Sequence, residues 1–215
     1  MDATYSNLLI DDPPQTVRIC GTERKINSNF RTAILFEILM DDNTVDDKNK
    51  GIQALKLFFP ELPRTEKEVT ESVEKMLWFY RCGKEPNEYM RQKEKKMQES
   101  EKTESRIYDF NYDDDYIYAA FTQQYGINLS AIQYMHWWEF RALFKSLTNQ
   151  TEFVKIMEYR GMEITSDMTD KEKSFYKKMK SVYALPVPKE ESERMDSIVA
   201  ALMGDGKVSK VLAGG

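Results

Sequence analysis

The sequence predicts a mainly α protein: helical bundle units, a small N-terminal β-hairpin, and a charged linker between the two halves. Three observations carry that expectation. Apolar residues recur at steps of three and four in one segment after another. Capping signals of the Ser/Thr-x-x-Glu/Gln type precede several of those segments, at Thr65/Glu68, Ser130/Gln133 and Thr169/Glu172. Only one short stretch, Thr16 to Cys20, alternates as a strand would, with Val17 and Ile19 on one side.

The elements follow in order. Asp11-Asp12-Pro13-Pro14 reads as a turn. Gly21-Thr22 can turn the chain back into Arg24-Lys25-Ile26, completing a hairpin that needs something to pack on. Asn27 or Ser28 caps a helix from about Asn29 to Met40, with Ala33, Ile34 and Ile38 inward. After a polar loop, a second helix carries Ile52, Leu55, Phe58 and Phe59 and ends at Pro60. Thr65 opens a third, whose face is Val69, Val73, Met76, Leu77 and Tyr80, and Cys82-Gly83 closes it. Residues 84–106 hold alternating charges and almost nothing apolar, so they cannot bury enough surface to fold alone.

The stretch from Ile107 to Ile164 holds 14 of the chain's 26 aromatic residues, so the second half should carry the densest core. Asp113, Asp114 and Asp115 suit a helix N-terminus, where the macrodipole favours negative charge. Ile117, Ala120, Phe121 and Tyr125 follow at helical spacing, and Gly126 stops them. The next helix is expected from roughly Ser130 to Leu147. Trp137, Phe140, Phe144 and Leu147 form one stripe on it, and Met135, Trp138, Ala142 and Leu143 occupy other sides. A helix apolar on nearly every side is either central to a core or covered by a partner. Thr151 caps a helix with Phe153, Ile156 and Met157, and Thr169 caps one with Phe175, Met179 and Val182 on one side and Lys173, Lys177 and Lys180 on another. A last amphipathic segment carries Met195, Ile198, Val199 and Leu202, and the tail beyond it is expected to be flexible. The expected organisation is a hairpin-plus-helices unit at 1–83, a charged linker or solvated helix at 84–106, an aromatic-rich helical unit at 107–185, and an amphipathic segment and tail at 186–215.

Composition narrows the function. With 215 residues the chain can form one domain with appendages or two small ones. A net charge of −5 argues against a general nucleic-acid binder, since phosphate recognition wants positive surface. No apolar run approaches the ~20 residues of a membrane helix. The opening MDATYSNLLIDD has no basic or apolar signal region, so no signal peptide is expected. Cys20 and Cys82 are far apart and make no metal motif, which suits a reducing cytoplasm.

Signals for chemistry are sparse. The one histidine, His136, lies three residues before Glu139. That is half of a metal pair with no second histidine to complete it, so a structural or surface histidine is the better reading. Loops counted from Asp41 and Asp109 place Ile52 and Ala120 where an EF-hand needs its last acid. No phosphate loop, nucleophile elbow or catalytic Cys–His pattern appears. The expectation is a protein that is not an enzyme, with no cofactor, catalytic or metal residues to name.

Six segments carry a family resemblance: LLIDDPP at Leu8 to Pro14, INSNFRTAILFE at Ile26 to Glu37, MLWFYRCGK at Met76 to Lys84, YDFNYDDDYIYAAFTQQYGINL at Tyr108 to Leu129, MHWWEFRALFKSL at Met135 to Leu147, and FVKIMEYRGMEI at Phe153 to Ile164. In their order the chain resembles the tail-assembly proteins of tailed phages and prophages of Gram-positive bacteria, encoded beside the tape-measure gene. The resemblance implies a tail-assembly chaperone in the host cytoplasm, holding tape-measure or tail-tube protein soluble, with a homo-oligomer compatible with that role. The alternative is a minor structural component of the finished virion tail. Such a chaperone needs exposed apolar surface, and Tyr116, Tyr118, Trp137, Trp138 and Phe140 are its candidate partner-binding anchors. For each of these residues taken singly, core packing is the competing fate.

Overall fold

The computed structural model describes residues 7–84 and 106–185. The linker expected across 84–106 and the C-terminal amphipathic segment at 186–215 therefore fall, but for Lys84 and Arg106, outside the described residues. Two strands and seven helices are described, so the chain is mainly α with a small N-terminal hairpin. No described helix is long and apolar enough to cross a membrane. The described chain divides into two compact units. Residues 7–84 and 134–141 make the first; residues 106–133 and 142–185 make the second.

The first unit begins with strands β1 (Thr16–Ile19) and β2 (Thr22–Lys25), paired antiparallel with Val17 opposite Arg24. Cys20 and Gly21 join them with φ of 48° and 78°. Two left-handed residues in a two-residue loop give the twist that hairpin strands need. β1 buries Val17 and Ile19 and lies on helix α3 (Glu66–Tyr80). That helix starts with the complete Thr65/Glu68 capping box the spacing predicts.

Helix α1 (Phe30–Asp41) is capped by Asn29, whose side chain accepts from the Arg31 N–H. Its buried face is Phe30, Ala33, Phe36, Leu39 and Met40, whereas Ile34 and Ile38, expected inward, are half-buried. Phe36 sets the rotation. Its ring meets Phe58 and Tyr80 edge-on at 5.4 and 5.1 Å, and an aromatic ring outweighs the neighbouring aliphatics in buried area. Helix α2 (Asp47–Phe58) is capped by Asp46 and stops two residues before Pro60. Lys50 is buried on it, and its ammonium donates to the Met40 carbonyl at 2.5 Å, answering an acceptor left open at the end of α1. In α3 the inward residues are Val69, Ser72, Val73, Met76 and Phe79; Leu77 and Tyr80 of the expected face are half-buried.

The second unit holds helices α4 (Asp114–Tyr125), α6 (Glu152–Gly161) and α7 (Asp170–Val182). Gly126, at φ 66°, ends α4 in the left-handed conformation. Thr151 caps α6, and Thr169 with Glu172 boxes the start of α7. Between α4 and α6 lies helix α5 (Trp137–Lys145), of which Trp137–Arg141 belongs to the first unit and the last four residues to the second. In the second unit Phe144 gathers Tyr108, Phe110 and Phe153, with ring centroids 5.2 to 5.6 Å away.

Three expectations are corrected. The helix predicted from Ser130 starts seven residues later, at Trp137, and the Ser130/Gln133 box does not form. The Asn128 side chain instead accepts from Ser130 N, Ser130 Oγ and Ala131 N, closing a turn that competes with helix. Asp113 does not cap α4 through its side chain, which is fully buried; only Asp114 and Asp115 sit exposed in the first turn. The hairpin turns at Cys20-Gly21, one residue before the expected Gly21-Thr22. Helix α7, with Phe175 and Val182 on one side as predicted, buries no residue.

Candidate interaction surface

The segment MHWWEFR is built into the first unit by backbone pairing. Phe30 N donates to the Met135 carbonyl at 2.9 Å and Trp137 N to the Ser28 carbonyl at 2.8 Å. An extended stretch from 134 to 136 is thereby set beside the N-terminal cap of α1, with Asn29 bridged to His136. His136 then starts α5. Its Nδ1 accepts from the Trp138 N–H at 3.0 Å, while its own N–H donates to Glu139 at 3.3 Å. This reciprocal arrangement resembles a capping box with an imidazole in the serine's place, accepting from the N2 N–H instead of N3. The histidine–glutamate spacing thus reflects a helix start.

The hydrogen bonds assign the imidazole tautomer. Nδ1 accepts from a backbone N–H, so the proton sits on Nε2, which donates to the Pro14 carbonyl at 3.0 Å. The ring is buried, and burial pushes its pKa below the ordinary histidine value of 6.5.

The aromatic residues that follow close the end of α3. Trp138 Nε1 donates to the Phe79 carbonyl at 2.7 Å, and Trp137 Nε1 to the Tyr80 carbonyl at 2.9 Å. Arg141 adds a second donor to the Tyr80 carbonyl at 2.9 Å. These are C-terminal carbonyls that a helix leaves without intrahelical partners, and the cation lies at the negative end of the dipole. Trp137 stacks on Tyr80 at 5.6 Å, with the Arg141 guanidinium within 6 Å of both rings. Phe140 stacks on Phe30 at 4.8 Å. The chain leaves α3 through Gly83, at φ 70°, where an added Cβ would come within 2.8 Å of the Trp138 ring.

Trp137, Trp138 and Phe140 are therefore core residues of the first unit, each almost wholly buried. Of the five candidate anchors, Tyr116 and Tyr118 alone are accessible, at 36% and 39% exposure, and both are on α4 of the second unit. Tyr116 lies close enough to Tyr183 to act on its hydroxyl, and Tyr183 is part of an aromatic group. Tyr159 stacks on Tyr183 at 6.0 Å and meets Phe175 edge-on at 6.0 Å. Burial first, then the neighbouring Glu152 and Tyr116, raises the Tyr183 hydroxyl above its ordinary pKa. Phe175 and Val182 are 47% and 61% exposed. Sequence reasoning placed Phe175 and Val182 on one helix face without marking them as surface. It passed over Tyr159, which stands between Glu158 and Arg160, and Tyr183, which follows the last residue of α7, and only the fold stacks them.

Beneath this group the second unit is held by a buried ion pair. Arg160 approaches both oxygens of Asp113, at 2.6 and 2.9 Å, and also donates to the carbonyls of Ile107 and Tyr183. Asp113 accepts in addition from Asp109 N. A sequence signal for it existed: Arg160 shares the inward face of α6 with Phe153 and Ile156, and a cation on an apolar face calls for a buried partner.

No curated protein and no solved structure matches the chain. The family model described as Bacteriophage Gp15 protein matches residues 9–185, a span that contains both strands and all seven described helices. With most of its length inside that match, the chain belongs to the bacteriophage Gp15 protein family.

Proposed function

We propose that this phage protein acts in tail morphogenesis as an assembly chaperone, binding tape-measure or tail-tube protein in the host cytoplasm before the tube closes. Two lines support the reading. The motif order from Tyr108 to Ile164 resembles tail-assembly proteins encoded beside the tape-measure gene. The observation that carries it is the accessible aromatic and aliphatic group of the second unit, Tyr116, Phe175 and Val182, which lies outside both cores. Aromatic side chains give large contact area for few torsions, as a chaperone for amphipathic helices requires. On this reading the protein supplies contact surface and no catalytic group.

The test is co-expression of the full chain with a tape-measure fragment from the same phage. A complex that co-purifies at micromolar concentration supports the chaperone; two proteins that elute separately overturn it. Mass spectrometry of purified virions addresses the alternative of a minor tail subunit. Absence from virions fits a chaperone, and a stoichiometric presence replaces it with the structural role.

A further inference from the structure

Helix α7 carries on its accessible side one stripe in which lysines alternate with apolar residues. Phe175 and Val182 are seven residues apart and both exposed. Lys171 and Lys178 are also seven apart, both exposed, and each precedes its apolar neighbour by four. Residues spaced by four, three and seven share one side of a helix, so Lys171, Phe175, Lys178 and Val182 alternate basic and apolar along one stripe of about three turns. Lys173 and Lys180 point elsewhere: they donate to the carbonyls of Ser166 and Arg160 and tie α7 to its own unit. The helix holds five lysines against Asp170 and Glu172, although the chain as a whole carries −5. A local excess of one sign against the protein's overall charge is what electrostatic complementarity to a partner produces.

We propose that this face docks an amphipathic helix of a partner protein, with an apolar stripe flanked by acidic residues. The inference rests on the chaperone reading and names the chemistry of the client segment. The stripe covers Phe175 and Val182, helix against helix, and the flanking carboxylates pair with Lys171 and Lys178. Apolar contact gives affinity, and the two lysines set orientation and reject basic helices.

The test uses the full chain and two synthetic helices of about three heptads. Both have leucine at a and d; one has glutamate at e and g, the other lysine. The expected result is binding of the glutamate-flanked peptide, at least about tenfold tighter than the lysine-flanked one and weakened by salt. Phe175→Ser with Val182→Ser should abolish binding, at some cost in the thermal melt because Phe175 meets Tyr159; Val182→Ser alone, at the more exposed position, should weaken binding with the melt left in place. Lys171→Glu with Lys178→Glu should invert the preference toward the lysine-flanked peptide. Equal binding of both peptides, binding that survives Phe175→Ser/Val182→Ser, or no binding at all overturns the proposal. So does a dimer of the chain that Phe175→Ser dissolves, which assigns the face to a second copy. Peptide failure with an intact tape-measure complex removes this inference alone. Peptide success without that complex removes the chaperone reading and keeps the docking face.

Discussion

Arg160 grips Asp113 through two nitrogens, at 2.6 and 2.9 Å, with the carboxylate wholly out of water. Two charges removed from solvent are costly unless each is fully answered, and here each is. Asp113 also takes the Asp109 N–H, and Arg160 also serves two carbonyls. Asp113→Ala is expected to destabilise the second unit by ~3–5 kcal/mol, because it strands a buried cation. Asp113→Leu combined with Arg160→Met should cost less than the two single changes added together. Urea unfolding of the three variants checks this; strict additivity would count against coupling.

Trp137 and Arg141 share one acceptor, the Tyr80 carbonyl, each at 2.9 Å. Either donor alone keeps that carbonyl satisfied. Trp137→Phe should therefore cost only about 0.5–1.5 kcal/mol, whereas adding Arg141→Met should cost more than the sum, since both N–H donors are then gone and the Cys82 thiol reaches that carbonyl only at 3.9 Å. Trp138→Ala, by contrast, empties a core site and should cost ~3–5 kcal/mol. A denaturation double-mutant cycle measures the first effect and a thermal melt the second.

Two glycines with similar φ make different demands. Gly21, at φ 78°, has open space where a Cβ would go, while Gly83, at φ 70°, faces the Trp138 ring at 2.8 Å. Gly21→Ala should cost about 1–2 kcal/mol, the steric penalty of left-handed backbone. Gly83→Ala should cost clearly more, because the indole must shift as well. Equal losses in chemical denaturation would show that the ring gives way freely.

The buried imidazole of His136 makes stability depend on mild acid. Its folded pKa lies below 6.5. Above pH 6.5 the ring is neutral in folded and unfolded chains alike and pH has no effect through it. Below 6.5 the unfolded chain takes up a proton that the folded ring resists, so stability falls as pH drops. The carboxylates held low by hydrogen bonds, such as Asp42 and Glu68, act only below their ordinary values of 3.8 and 4.5. The melting temperature should thus decline between pH 6.5 and 5, and His136→Gln should flatten that decline. A variant with the same slope as the natural chain would remove His136 as its cause.

The sequence by itself determined what depends on neighbours within about four residues. The helical class, the Thr65/Glu68 and Thr169/Glu172 boxes and the Gly126 stop all formed as their residues predict, and the hairpin formed with its turn one residue earlier than Gly21-Thr22, at Cys20-Gly21. A cap or a tight turn is a local hydrogen bond or a local torsion, so its chemistry is written in adjacent letters. Where local signals competed, as at Asn128 and Ser130, the pattern could not choose between a turn and a capping box.

Only the tertiary structure decided which aromatics are core and which are surface. Trp137 is buried because Tyr80, 57 residues earlier, offers it a carbonyl and a ring, and Trp138 because Phe79 does the same. Phe175 has as apolar a side chain as Phe140, yet it stays accessible, since α7 carries its lysine anchors on another side. Burial is set by partners distant in the chain, and helical periodicity marks a face without naming what will cover it.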